Sequence, residues 1–272
     1  MTYRRRSSGR PRQGYGRGRR RTKGGLFIGL IIAAVALFRY CSTADYNEVT
    51  GQTQYVAISE DQEVALGLQS APSMIQQYGG LHPDTDARSV VNSVGRKIVE
   101  LSDAGLTPYR YEFHLLADER VVNAFALPGG QVFITAALYR RLSTEDQLAG
   151  VIGHEIGHVV ARHGAERIAQ QQLSQGLTGA AVVASGDYQT AAAAAMISNL
   201  VNMSYGRDQE LQSDDLGVRF MVQAGYDPEG LIEVMAILEE ASGGQRQAEF
   251  LSTHPNYENR IGTIRDAIER YR

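Results

Sequence analysis

An uncharged apolar run, Leu26–Phe38 (LFIGLIIAAVALF), sits directly behind a block that carries nine arginines, one lysine and no acid between Met1 and Lys23. With Gly24 and Gly25 the run reaches 15 residues, short of the roughly 20 that cross a bilayer comfortably, and a buried core helix could have the same composition. The positive block decides the reading. Dense positive charge before an apolar run is the pattern of the positive-inside rule and of secretory segments, so residues 24–41 are expected to enter a membrane. Two versions follow. Either the segment stays as an anchor, with Arg39 snorkelling and Tyr40 at the interface, or Ser42 and Ala44 mark the −3 and −1 positions of a signal-peptidase site.

The charge asymmetry divides the rest. Met1–Lys23 carries +10, which leaves −13 for Gly24–Arg272. The arm, rich in Gly and Arg and with almost nothing to bury, is expected to be disordered and cytoplasmic. Nucleic acid is not expected as a partner, because the globule behind the arm is acidic. Cys41 is the one cysteine, so no internal disulfide can form. Residues 42–58 are polar without clear period and read as a linker, and 59–272 as one domain.

Within that domain Ser59 and Gln62 form a capping box that opens a helix, and Val90, Val94, Ile98 and Leu101 give a second helix over about Asp86–Ser102. Tyr109–Leu116, Val121–Leu127 and Gln131–Thr135 read as strands, the last two joined by Pro128-Gly129-Gly130, and together as a small antiparallel sheet. Thr144 and Gln147 cap the next helix, striped by Leu148, Val151, Ile152, Ile156 and Val159. Residues 165–203 carry two apolar patches, Leu177–Ala184 and Ala191–Val201, too short to span a bilayer and expected as a helical hairpin packed on the core. Helices over Arg207–Gln223, from Asp227-Pro228 to about Glu240, and within Asn256–Arg272 complete an α+β, helix-dominated chain.

The Thr144 helix carries His154-Glu155-Ile156-Gly157-His158. Residues i and i+4 share one helix face, so both imidazoles reach one cation, while Glu155, about 100° further round, addresses a water on that cation. Catalytic zinc takes three protein ligands and keeps one open position. His163 competes for the third place, but on a continuing helix it lies about 140° from His158 and reads as a polar-face residue. Glu210 and Asp214, again i and i+4 on a later helix, are better placed: one carboxylate to bind zinc, the other to orient a ligand histidine. His254 is the natural stabiliser of an oxyanion, with Arg260 second and Tyr257 a further candidate.

The chain resembles the membrane-linked zinc metallopeptidases related to HtpX and the CAAX prenyl endopeptidases, and within them the Oma-type branch with an envelope-facing domain. The likeness covers roughly Ser59–Ile264 and rests on Val122–Gly130, His154–His158, Glu210–Asp214, and His254-Pro255 with Arg260. It implies a gluzincin fold with one zinc held by His154, His158 and Glu210. It further implies Glu155 as the catalytic residue and Asn123-Ala124-Phe125 as an edge strand on which substrate is laid out. The third-ligand motif usually reads Glu-x-Glu-Ala-Asp; here it is Asp208-Gln209-Glu210-Leu211-Gln212-Ser213-Asp214, which keeps Glu210 and Asp214 and departs at the rest. The expected activity is a metalloendopeptidase acting on unfolded or misfolded proteins of the membrane or envelope, by a metal-activated water with Glu155 as general base. The expected location is a bacterial inner membrane with the domain facing the periplasm or cell exterior, or export after cleavage near Ala44. The alternatives are a metal-binding, chaperone-like or proteolytically restrained envelope protein, and another zinc hydrolase on the same motif.

Overall fold

The computed structural model describes residues 23–185, 204–242, 249–256 and 259–272. Most of the basic arm, Tyr257 and the second apolar patch, Ala191–Val201, lie outside them. The first helix, α1 (Lys23–Cys41), is 19 residues long, about 28 Å at 1.5 Å per residue. It outruns the apolar stretch because Arg39, Tyr40 and Cys41 continue the same turns. Its large side chains are bare: Phe27 is 65% and Phe38 74% exposed.

Residues 42–58, read as a linker, contain an antiparallel hairpin, β1 (Ala44–Asn47) and β2 (Gln52–Tyr55). Its anchors are polar, so no hydrophobic period announces it. Asn47 donates to the carbonyl of Val160 at 2.7 Å and Gln54 to that of Ala161.

Helices α2 (Glu60–Gln77) and α3 (Thr85–Leu101) follow, the first opened by the Ser59–Gln62 capping box and the second capped by Asp84. Strands β3 (Glu112–Leu116), β4 (Ala124–Leu127) and β5 (Gln131–Thr135) form one sheet in the order β3-β5-β4. This sheet is mixed rather than antiparallel: β4 runs antiparallel to β5, while β3 runs parallel to it. The Pro128-Gly129-Gly130 turn determines only the β4–β5 pair. Between β3 and β4 the chain turns at Asp118, whose carboxylate accepts from the backbone of Arg120 (2.7 Å) and Val121 (3.0 Å). That turn carries the chain past the place β5 will take, and leaves β4 at the sheet's edge.

After the short α4 (Ala136–Tyr139), α5 (Glu145–Val160) starts at its Thr144 cap and runs through the centre of the molecule. Every residue from Gln147 to Val160 is buried, so α5 is a core helix rather than one with a wet back. The sheet, α3, α7 (Arg207–Gln223) and α8 (Glu229–Ser242) pack around it, and α9 (Glu249–Thr253) and α10 (Arg260–Tyr271) close the far side. Gly157 and Gly217 let α5 and α7 approach to backbone contact. A Cβ on Gly157 would stand 2.8 Å from the carbonyl oxygen of Ser213, and one on Gly217 3.1 Å from the nitrogen of His154. This approach brings the two halves of the site together.

The helix α6 (His163–Ser185) departs from expectation twice. It does not continue α5, because Arg162 sits at φ +53° and turns the chain. Its main packing partner is α1 rather than the core.

Candidate metal centre and active site

Two turns of α5 and one of α7 supply the centre. His154 Nδ1 lies 2.8 Å from Asp214 Oδ1, and His158 Nδ1 lies 2.8 Å from His163 Nδ1. An Asp carboxylate only accepts, so the proton of His154 is on Nδ1. His163 Nε2 lies 2.9 Å from the side-chain oxygen of Gln212, which also only accepts. The Nε2 of His163 therefore carries its proton, and Nδ1 is left to accept from His158. Burial pushes His163 down to about 4 and His158 well below its ordinary value, so both rings are neutral at pH 7.

Against the effect of burial, Asp214 and Glu210 raise the His154 pKa; in its neutral form the proton stays on Nδ1, and the ring, like that of His158, turns a lone pair inward. The two Nε2 atoms are 3.1 Å apart. Glu210 adds a carboxylate, 3.4 Å from His158 and 3.6 Å from His154. Burial would raise the Glu210 pKa, but His254 and Arg260 hold it well below the usual range. Two facing lone pairs and an ionised carboxylate in a buried pocket call for a cation. His154, His158, Glu210 and His254 each place one ligand atom within 4.8 Å of the others, a His/His/Glu/His cluster suited to a single zinc ion.

His254 stands closer to this cluster than stabilising an oxyanion requires. Its Nδ1 is 3.0 Å from Glu210 Oε1 and 3.2 Å from His154 Nε2, while its Nε2 is 3.6 Å from Glu155 Oε1. Phe250 stacks on its ring, with centroids 4.4 Å apart. Arg260 does not reach open space either. Its guanidinium grips Asp214 through Nε (2.6 Å) and Nη2 (2.8 Å) and pairs with Glu210 through Nη1 at 2.9 Å, so it braces the two acids against each other. Asp214, joined to both Arg260 and His154, sits behind the ligand histidine.

Glu155 is fully buried, and neither of its carboxylate oxygens has a hydrogen-bond partner among the described residues. Burial holds its pKa up against the pull of His254 and His154. A buried carboxylate without a hydrogen bond costs stability, and such groups mark places where chemistry uses them. A narrow cleft lined by Phe125, Leu127, Pro128, Arg167 and Tyr205 meets the cluster at His254.

Asn123, Ala124 and Phe125 lie along that cleft's strand. Asn123 precedes β4 and is buried, its amide donating to Glu249 at 3.0 Å and its backbone paired with Thr135. Phe125 stacks inward on Phe133 at 4.8 Å.

The sequence reading missed three residues here. His163, expected on a polar face, is fully buried against His158. Gln212, a departure from the usual third-ligand motif, is what pairs with it. Tyr205 stacks on the His158 ring at 3.8 Å. The spacing of His163 was visible, but the turn at Arg162 that brings it back was not.

A family model described as Peptidase family M48 matches residues 85–268, a stretch that contains every donor of the cluster. The chain belongs to peptidase family M48. Among its relatives, the "Beta-barrel assembly-enhancing protease" of Escherichia coli (strain K12) is 29% identical over 263 residues, covering 90% of this chain and 52% of that protein. The "Mitochondrial metalloendopeptidase OMA1" of Schizosaccharomyces pombe is 29% identical over 245 residues, covering 88% of this chain and 70% of that one. Its namesake in Saccharomyces cerevisiae is 28% identical over 250 residues, covering 86% and 72%. The chain thus spans about half the length of the first of these. The M48 assignment and the buried donor set agree on a metalloendopeptidase-type centre.

Proposed function

We propose that this chain is a membrane-anchored zinc endopeptidase of the Oma-type branch, cleaving unfolded or misfolded polypeptides of the membrane or envelope. His154, His158 and Glu210 would hold the ion. Zinc, when bound there, supplies Lewis-acid polarisation of a carbonyl and makes a water acidic. The chain's own residues do the rest. Glu155 takes the proton from the attacking water and delivers it to the leaving amine, and its raised pKa makes it the stronger base. Asp214, itself held by Arg260, keeps the His154 proton on Nδ1 and the ring in place. Alternation along β4 pairs the main chain of Asn123 and Phe125 with β5, which leaves that of Ala126, the half-buried residue of the strand, to the outer edge. An extended peptide laid there would bind by backbone hydrogen bonds with loose side-chain preference. The basic arm supports an orientation with the arm in the cytoplasm, the anchor in a bacterial inner membrane and the domain in the periplasm.

The observation that carries this reading is the Glu155 carboxylate, buried without a hydrogen bond beside the donor cluster. Glu155→Gln keeps the volume and removes the base. Zinc content should stay at one per chain while cleavage of an unfolded protein falls by about 10²–10⁴-fold or more. Equal turnover by wild type and variant would remove Glu155 from the mechanism.

A second reading, a metal-binding protein whose proteolysis is restrained, draws support from His254. As a fourth protein donor it would fill the position that a catalytic zinc keeps open. Zinc-loaded wild type that leaves unfolded protein intact, while His254→Ala cleaves it, would favour that reading.

A further inference from the structure

The distal half of α6 has no evident place in a water-soluble domain. It runs antiparallel to α1: a Cβ on Gly176 would stand 2.7 Å from the Cβ of Ala36, while Glu166, ten residues earlier, is level with the end of α1 through Tyr55, which stacks on Tyr40 at 4.9 Å. On α1 the buried or half-buried positions are mostly small, Gly29, Ala33 and Ala36 beside Ile32, while Leu30, Ile31, Val35, Leu37 and Phe38 are exposed with Ala34. A helix packing on an aqueous core buries its large residues and exposes its small ones. Small residues at the contact and large ones outside are the arrangement of helices that pack within lipid. The polarity of the two helices also changes at one level. Arg39 and Tyr40 of α1 share a cavity with Gln172 and Gln175 of α6, whereas Gly176–Ala184 contains no ionisable residue.

We propose that α6 beyond about Leu173 is inserted into the bilayer beside α1, so that the lipid hydrocarbon covers the exposed side chains of α1 and Leu177 of α6. This rests on α1 being a retained anchor. From Gly176 to Ser185 the helix then runs about 14 Å along the apolar length of α1, at 1.5 Å per residue. A consequence for substrate follows. Ten residues separate Leu173 from His163, the residue in contact with His158, so the metal centre sits no more than roughly 15–20 Å above the membrane surface. An unfolded segment leaving the bilayer spans that height with about five or six extended residues. Juxtamembrane stretches of membrane proteins are therefore the substrate class the geometry favours.

Single cysteines in a Cys41→Ser background of the full chain, reconstituted in phospholipid vesicles, test the insertion. Leu30 (62% exposed), Leu177 (38%) and Leu106 (75%) are all open in the structure, so protection from a membrane-impermeant maleimide reports lipid and not protein packing. Gln172→Cys marks the proposed surface level, and an unchanged zinc content shows that each variant is folded. Leu30→Cys and Leu177→Cys should label at least tenfold more slowly than Leu106→Cys and Gln172→Cys, and the difference should vanish in denaturing detergent. Protection at Leu30→Cys with fast labelling at Leu177→Cys would overturn the insertion of α6 and leave the anchor standing. Fast labelling at Leu30→Cys would overturn the anchor itself, and this inference with it.

Discussion

His163 offers the sharpest test of how the metal centre is held. In the structure its Nδ1 accepts the Nδ1 proton of His158 at 2.8 Å, and Gln212 fixes which nitrogen of His163 can do so. His163→Ala leaves that proton of His158 buried with no acceptor. An unsatisfied buried donor costs about 1–3 kcal/mol, and the loss of an outer partner of a ligand histidine typically costs about 10–100-fold in metal affinity. The two scales agree, since tenfold is about 1.4 kcal/mol. The assay is competition between the detergent-solubilised full chain and a chromophoric chelator. Wild type and His163→Ala should both bind one zinc at saturation, the variant about 10–100-fold more weakly. Glu210→Ala, which removes a donor outright, should bind more weakly still. His163→Gln can present a carbonyl oxygen to His158 and should recover part of the loss. An affinity for His163→Ala within threefold of wild type would refute the argument, and would mean that the His158 tautomer is set by the metal alone.

The structure commits two further outcomes. Gly157→Ala places a methyl 2.8 Å from a backbone oxygen of α7; spreading α5 from α7 should destabilise the fold by about 1–3 kcal/mol and draw Glu210 away from the histidines, read as a lower melting temperature and weaker zinc binding together. Glu63 is pushed up to about 7 by burial, against the pull of Arg162 and Tyr109, so the folded chain holds its proton where the unfolded chain, near 4.5, has lost it. Stability from this group is full below about pH 4.5 and is lost as pH rises through about 7, by up to roughly 3 kcal/mol. Denaturant titrations from pH 4.5 to 8 should show wild type losing ground to Glu63→Gln over that window. A gain instead would show that the Arg162 ion pair outweighs desolvation.

What was legible in the sequence was local. The capping residues Ser59 and Thr144, the Pro128-Gly129-Gly130 turn, the i, i+4 pairs His154/His158 and Glu210/Asp214, and Asp227 before α8 act within one or two turns of themselves, and the structure places each where that reach predicts. The parts that were misread depend on partners about a hundred residues away. Arg162 is the clearest case. A non-glycine residue at φ +53° is uncommon, and nothing in Val159–Gly164 signals it. The turn is held by a guanidinium that donates to Glu63 (2.8 Å), Asp45 (2.7 Å) and the carbonyl of Ile58 (2.8 Å). The first of these lies on α2 and the second on the polar hairpin read as a linker. Because that hairpin also caps the end of α5 through Asn47 and Gln54, and Gln52 accepts from Gln212 at 3.0 Å, one polar network reaches from the hairpin that follows α1 to His163. The motif tells which side chains can bind metal. Their tautomers and aim are set by polar contacts that follow no periodicity, so a reading of periodicity could not find them.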